Sequence, residues 1–436
     1  MKILVIGAGG REHAIAWKLA QSPRISTIFV APGNAGSALE TMLQNVPLNT
    51  IEQYLDFVRQ KKIAFTVVGP EQPLSEGIVD AFRREGLMIF GPTQYAAQLE
   101  SSKHFAKRFM QQQNIPTAHY QCFEDSHAAH AYLDTQTLPV VIKADGLAAG
   151  KGVIIVHDQT EAHVAIDSLF SQQAPGMKLL IEDYVDGEEA SFIVMADGEH
   201  SLALATSQDH KRLYDNDTGP NTGGMGAYSP APVITPEIHA KIMREVIEPC
   251  LQGMRAQGHP YTGFLYAGLM ISPHGDIKVL EFNCRLGDPE AQVLLLRLKS
   301  DLVTLLEHAL QGKLHQIQAQ WDRRAALGVV LAAANYPQSP HTGQVITGLQ
   351  KTYEHGHVFH AGTCMNAEGA ICSCGGRVLC VTALGDNIKI AQQRAYQYVE
   401  SICFAGMHYR RDIGYRALNR IYSSVSSASK HMVDSA

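Results

Sequence analysis

Over the first hundred residues, short apolar runs alternate with amphipathic stretches. Lys2–Gly7, Thr27–Ala31, Ile63–Gly69 and Leu87–Gly91 have strand length and are largely apolar. Arg11–Gln21, Ile51–Lys61 and Ser75–Glu85 carry apolar residues at helical spacing, and Ser22-Pro23 stops the first of them. Apolar strands separated by helices predict a parallel sheet covered on both faces. Ligands of such sheets bind beyond the carboxyl ends of the strands. Here those ends are Gly7-Ala8-Gly9-Gly10-Arg11, Pro32-Gly33-Asn34-Ala35-Gly36 and Gly69-Pro70-Glu71.

The texture changes near Ser102. A helix is expected over Lys103–Gln113, then strands at Pro139–Lys143 and Gly152–Val156, a helix at Thr160–Ser171 and a strand at Lys178–Glu182. Thr235 as N-cap, Pro236 at the first helical position and Gly258 beyond the end bound a single helix over Pro236–Gln257. Later strands are expected at Ala326–Ala333 and Gly376–Ala383, with a helix at Asn387–Ile402. The whole reads as an α/β and α+β multidomain protein. The expected divisions are 1–101, 102–189, 190–312, a polar linker over 313–325, a last domain over 326–422, and a serine-rich disordered tail over 423–436.

A chain of 436 residues is too long for one core, and two to four domains suit it. A net charge of -6 gives no electrostatic reason to bind nucleic acid or an acidic membrane. The apolar start reads as a strand and not as a signal peptide, and no run reaches the ~20 residues of a membrane span. A cytoplasmic location is expected. The eight cysteines show no CxxC pair and the twenty histidines no HExxH, so reduced thiols and no zinc are expected.

Four segments carry candidate chemistry. Gly7-x-Gly9-Gly10 follows a strand, but a third glycine of the dinucleotide pattern would fall on Glu12, and no acid ends the next strand. What remains is a helix N-terminus with Arg11, suited to one phosphate, or else a plain tight turn. The loop Lys143–Gly152 is one residue short of a Walker A spacing and leads into a strand. A glycine-rich hairpin with lysines at its base and tip can instead close over a triphosphate. In Asp276–Arg285, period-two alternation puts Glu281, Asn283 and Arg285 on one face and Leu280, Phe282 and Cys284 on the other. A carboxylate and an amide oxygen so spaced are hard ligands for Mg²⁺, and Arg285 suits an anionic oxygen. Last, Asp209-His210-Lys211-Arg212 precedes Gly219-Pro220-Asn221-Thr222-Gly223-Gly224-Met225-Gly226. So much glycine and proline excludes helix or central strand and leaves a loop able to bend closely around a ligand.

In this order, these segments resemble the ATP-grasp superfamily, and within it the glycinamide ribonucleotide synthetase family. The matching pieces also include Gly187-Glu188-Glu189-Ala190-Ser191 and Glu281–Glu290, and they span nearly the whole chain. The resemblance implies a pre-ATP-grasp N domain, a lid, a central ATP-grasp domain and a C domain. It implies ATP between lid and central domain, with Lys103, Lys143, Gly146, Gly150, Lys151 and Gly152 at the phosphates. Glu182 and Val185 would meet adenine, and Glu189 the ribose. Glu281 and Asn283 would hold Mg²⁺ or Mn²⁺. Gly9, Gly10, Arg11, Asn34, Glu71, Asn221, Thr222, Gly223 and Asp288 would bind the other substrates, and Arg285, Lys211 and Asp209 would serve catalysis. The implied partners are small molecules only, acting on a monomer: ATP, glycine and 5-phosphoribosylamine. Tyr214-Asp215-Asn216-Asp217 stands where relatives usually carry a glycine, which bears on loop mobility. Two other readings stay open: another ATP-grasp ligase such as a biotin-dependent carboxylase component, and an NAD-binding or non-enzymatic module.

Overall fold

The computed structural model describes residues 1–147, 152–171, 178–350 and 352–420. Gly150, Lys151 and the tail expected over 423–436 lie outside the described residues. The N-terminal parallel sheet has the strand order Leu43–Asn45, Thr27–Pro32, Lys2–Gly7, Phe65–Val68, Ile89–Phe90. The chain steps outward on one side of Lys2–Gly7 and then returns to its other side at Phe65–Val68. That reversal opens a crevice at the carboxyl end of the first strand. Ile3, Leu4 and Val5 are fully buried, as strands covered on both faces require.

Several elements differ from the sequence expectation. Asn34 caps an unanticipated short helix, Ala35–Leu39. The helix expected at Ser75–Glu85 is two, Glu71–Ser75 and Ile78–Arg84, broken where Gly77 takes φ 86°. The long helix after Thr235 contains a π turn at Met243–Ile247, just before Glu248–Ala256. Pro249 supplies no N–H and crowds the carbonyl four residues back, and the wider turn accommodates both faults.

Residues 120–183 form an antiparallel sheet ordered Tyr120–Phe123, Leu179–Asp183, Val140–Ala144, Val153–Val156. Helices Ser126–Leu133 and Gln159–Ser171 pack on it around Leu133, Ile142 and Ile166. A second antiparallel sheet runs Ser201–Ala203, Glu188–Asp197, Thr262–Ile271, Ile277–Asn283. The third begins with Gln208–Asp209 and Gly226–Ser229, then takes Ala325–Ala332, Arg377–Gly385 and Gly356–His360. The glycine-rich loop between 209 and 226 is therefore rooted in the same sheet as the last hundred residues. The stretch expected as a linker is packed: Leu314 is buried, and Trp321 bridges Leu298. All eight cysteines are free thiols. Among the described residues no helix is long and apolar enough to cross a membrane.

Candidate active site

One cavity of about 660 Å³ lies where the sheets meet. Its first wall comes from the 120–183 unit and the helix before it. Ser102 caps Lys103–Gln112 by accepting from Phe105 N–H, and its hydroxyl donates to Asp145. That cap sets Lys103, whose Nζ donates to Gly146 O at 2.8 Å. Lys143 and Lys107 both reach Glu182 Oε2 at 2.8 Å. Burial would raise the Glu182 carboxyl, but the two ammonium groups hold it below its ordinary range. Its other oxygen, Oε1, is buried with no partner among the described residues. Burial pushes Lys107 down to about 8 and lowers Lys103 as well.

The second wall is the strand Ile277–Asn283. Gly268 pairs with Glu281 but Leu269 with Val279, so Leu280 sits in a bulge. The bulge shifts the alternation by one residue. Val279 is fully buried, whereas Leu280, expected on the core face, is half-buried and lines the cavity beside Glu281 and Asn283. Lys211 Nζ lies 2.5 Å from Glu189 Oε1 and 3.4 Å from Glu281 Oε1. Chiefly through Lys211, the Glu281 carboxyl is pulled down to about 2. Glu281 retains 39% and Lys211 29% of their side-chain exposure. Both line the cavity, so that area faces its interior. Burial, and then the charge of Glu290, pushes the Asp209 carboxyl well above its ordinary range, and its Oδ1 has no partner among the described residues.

The third wall is anionic and cationic by turns. Arg285 donates to Glu71 Oε2 at 3.3 Å and pairs with Glu100 at 2.7 Å. Burial pushes Glu100 up to about 6; burial would lower Arg285, but its two carboxylates hold it above its ordinary range. Arg11 lies 3.7 Å from Glu71 on the other side. Thr222 Oγ1 donates to Lys211 O, which holds the glycine-rich loop against the 209–211 backbone. Arg377 NH1 donates to Gly223 O and Asp288 O, both at 2.6 Å, tying that loop to the turn before Glu290. Gly224 takes φ 114°, and a Cβ there would meet Pro289 at 2.5 Å.

Of the residues singled out from sequence, the cavity brings together Arg11, Glu71, Lys103, Lys143, Gly146, Gly152, Glu182, Val185, Glu189, Asp209, Lys211, Asn221, Thr222, Gly223, Glu281, Asn283, Arg285 and Asp288. Gly9, Gly10 and Asn34 are not in its lining. Gly9 N–H already donates to Glu12 Oε2 at 2.7 Å, so the protein's own carboxylate occupies the turn expected to hold a phosphate. Glu12 fits because Gly7 and Gly69 lack side chains; a Cβ at either would lie within 2.3 Å of it. Gly10 has the same steric logic against Gln292. Asn34 spends its amide on Ala8 O and His360 O and its oxygen on Ser37 N–H. Lys107, Glu290, Arg377 and Arg416 also line the cavity. Lys107 was findable one helical turn after Lys103; the others come from segments without a local signal.

Residues 1–100, 101–291 and 326–416 match in turn the N, ATP-grasp (A) and C domains of phosphoribosylglycinamide synthetase. The chain belongs to the phosphoribosylglycinamide synthetase family. It is 58% identical over 423 residues to the phosphoribosylamine–glycine ligase of Neisseria meningitidis serogroup A, covering 96% of this chain and 100% of that one. The Ralstonia nicotianae phosphoribosylamine–glycine ligase is 57% identical over the same share of each. The crystal structure of the Thermotoga maritima phosphoribosylamine–glycine ligase superposes with a TM-score of 0.81 at 33% identity, over 95% of this chain and 100% of that one. The biotin carboxylase domain of the Hydrogenobacter thermophilus 2-oxoglutarate carboxylase shares the fold, with a TM-score of 0.69 at 16% identity over 93% and 91%. Within the synthetase family the fold is therefore an N domain, an ATP-grasp domain and a C domain.

Proposed function

We propose that the chain ligates glycine to 5-phosphoribosylamine at the expense of ATP, giving glycinamide ribonucleotide, ADP and phosphate in purine synthesis. Its family supports this. The observation that carries the reading to particular residues is that Lys103, Lys143, Lys211 and Arg285 converge with Glu281 in one cavity.

Glycine's carboxylate repels a nucleophile and would have to expel oxide. Transfer of the γ-phosphoryl group to a carboxylate oxygen gives glycyl phosphate and ADP. The amine of phosphoribosylamine then attacks the acyl carbon, the C–O bond to phosphate breaks, and the amine loses a proton. Both steps develop charge on oxygen, where preorganised cations act most strongly. Lys103 and Lys143 sit to hold the triphosphate, with Gly146 and Gly152 at the closing hairpin. Gly150 and Lys151 of that hairpin keep their place in the proposal from sequence alone. Glu182 Oε1, buried without a partner among the described residues, is a ready acceptor for an exocyclic amine, and Val185 and Glu189 extend that wall toward a nucleoside. Arg285 and Lys211 sit to stabilise the acyl phosphate. Arg11, Asn221, Thr222, Gly223 and Asp288 surround the space left for the ribosylamine and glycine.

Glu281 and Asn283 fit a divalent cation. Glu281 is held ionised, and Asn283 turns its Nδ2 toward Glu281 Oε1 at 3.5 Å, leaving its own oxygen for another partner. Mg²⁺ or Mn²⁺ there would supply charge neutralisation at the phosphates. The reading is of a monomer acting on small molecules in the cytoplasm.

Glycine labelled with ¹⁸O in its carboxylate tests the acyl-phosphate route. One labelled oxygen should appear in the released phosphate per turnover; unlabelled phosphate would overturn it.

A further inference from the structure

Away from the cavity, the 120–183 unit carries a second cluster of titratable groups. His130 lies on Ser126–Leu133 and His163 on Gln159–Ser171, the two helices that back the sheet. Their Nδ1 atoms face each other at 2.6 Å. The other nitrogen of each ring is engaged: His130 Nε2 lies 2.9 Å from Asp167 Oδ1, and His163 Nε2 lies 3.1 Å from Asp134 Oδ1. A carboxylate can only accept, so each Nε2 carries the hydrogen, and a neutral ring then presents a lone pair at Nδ1. Two lone pairs do not converge at this distance unless a cation lies between them.

We propose that His130 and His163 form a two-histidine clip for one divalent transition-metal ion of the zinc class on the outer face of this unit. Neutral imidazole is a preferred ligand of such ions. Histidines that bind metal characteristically donate their second N–H to a carboxylate, the role Asp134 and Asp167 fill here. Tetrahedral Zn²⁺ with bonds of about 2.0–2.1 Å places two nitrogens roughly 3.3 Å apart, so the rings need to part by less than about 1 Å. The side chains are 26% and 35% exposed, so the ion and its remaining water ligands can enter from solvent. The trio His13, Glu40 and His357, whose ligand atoms lie within 4.8 Å of one another, fails the same chemical requirement. His360 N–H donates to His13 Nδ1 at 2.9 Å, so neutral His13 keeps its hydrogen on Nε2, the atom facing Glu40. The clip would join two helices to each other without touching the cavity wall, and it stands independently of the proposed ligase reaction.

Zn²⁺ titrated calorimetrically into the full chain, in excess Mg²⁺, tests this. The unaltered protein should bind one Zn²⁺ more per chain than the His130→Gln/His163→Gln variant. Asp134→Asn, which keeps both imidazoles, should weaken that extra site about 10–100-fold. Equal stoichiometry and affinity in the unaltered and double-variant proteins would overturn the proposal and leave a proton as the bridging cation. An Asp134→Asn protein with undiminished Zn²⁺ affinity would overturn it too, and does not depend on the double variant folding.

Discussion

Replacing Glu281 by Gln keeps the side chain's size and removes its charge, at the point where a metal-binding carboxylate and a structural one differ most. Its structural contribution is the attraction to Lys211 at 3.4 Å. At an effective dielectric of ~20 such a pair is worth roughly 4–5 kcal/mol before screening. With 39% of the Glu281 side chain accessible, screening leaves on the order of 1 kcal/mol. Lys211 also keeps Glu189 at 2.5 Å, so it is not stranded. The expected fall in melting temperature is then only about 2–4 °C. Loss of transition-state charge stabilisation should instead lower turnover about 10²-fold or more, some 2.7 kcal/mol. Steady-state phosphate release across a Mg²⁺ titration separates the two effects: activity should be partly restored at high Mg²⁺. Full activity with unaltered Mg²⁺ dependence in the folded variant would refute the metal assignment.

Lys107, buried and pushed down to about 8, should lose its charge as pH rises through that value. kcat/KM for ATP should fall above about pH 8, and Lys107→Met should lower it roughly tenfold or more and abolish that limb of the profile. Because the unfolded chain binds this proton more tightly, the same shift makes stability rise from about pH 8 toward 10.5, readable in urea melts. Asp217 accepts from Arg410 at 2.7 Å and from Tyr415 and Arg416 at 2.5 Å, and Arg410 is fully buried. Asp217→Ala should cost roughly 2–4 kcal/mol by leaving Arg410 undercompensated, and should make the 212–223 loop more sensitive to limited proteolysis. Burial would raise the Asp217 carboxyl, but the Tyr415 hydroxyl and the two guanidinium groups hold it below its ordinary 3.8. Its stabilisation is therefore present above that pH and lost on acidification below it, which an acid melt compared with Asp217→Ala will register. Val279→Gln, with its amide in the core, should lower the melting temperature strongly, whereas Leu280→Gln should chiefly change substrate KM.

The parallel N-terminal sheet was legible because strands covered on both faces are apolar throughout, a local signal. The strands Val140–Ala144 and Val153–Val156 were legible for a related reason, as two apolar runs on either side of a glycine-rich stretch. Leu280 was placed on the wrong face because alternation continues only until a bulge intervenes, and the bulge is fixed by pairing with Gly268, not by neighbours in sequence. Glycines 7, 9 and 10 invited a phosphate. Their smallness also admits Glu12 and Gln292, contacts that only the tertiary fold creates. Arg377 and Arg416 reach the cavity from the last domain, because the 209–226 loop shares that domain's sheet. The Tyr214–Asp217 departure likewise has a tertiary answer: Asn216 and Asp217 adopt φ of 59° and 52°, and Asp412, Arg410 and Arg416 hold them there.

The central claim is substrate identity, and phosphate release from Mg-ATP with phosphoribosylamine and a panel of carboxylates tests it most directly. Glycine should support turnover, with alanine and bicarbonate near background, and phosphate should form only when both glycine and the ribosylamine are present. Release with alanine or bicarbonate as fast as with glycine would contradict the account.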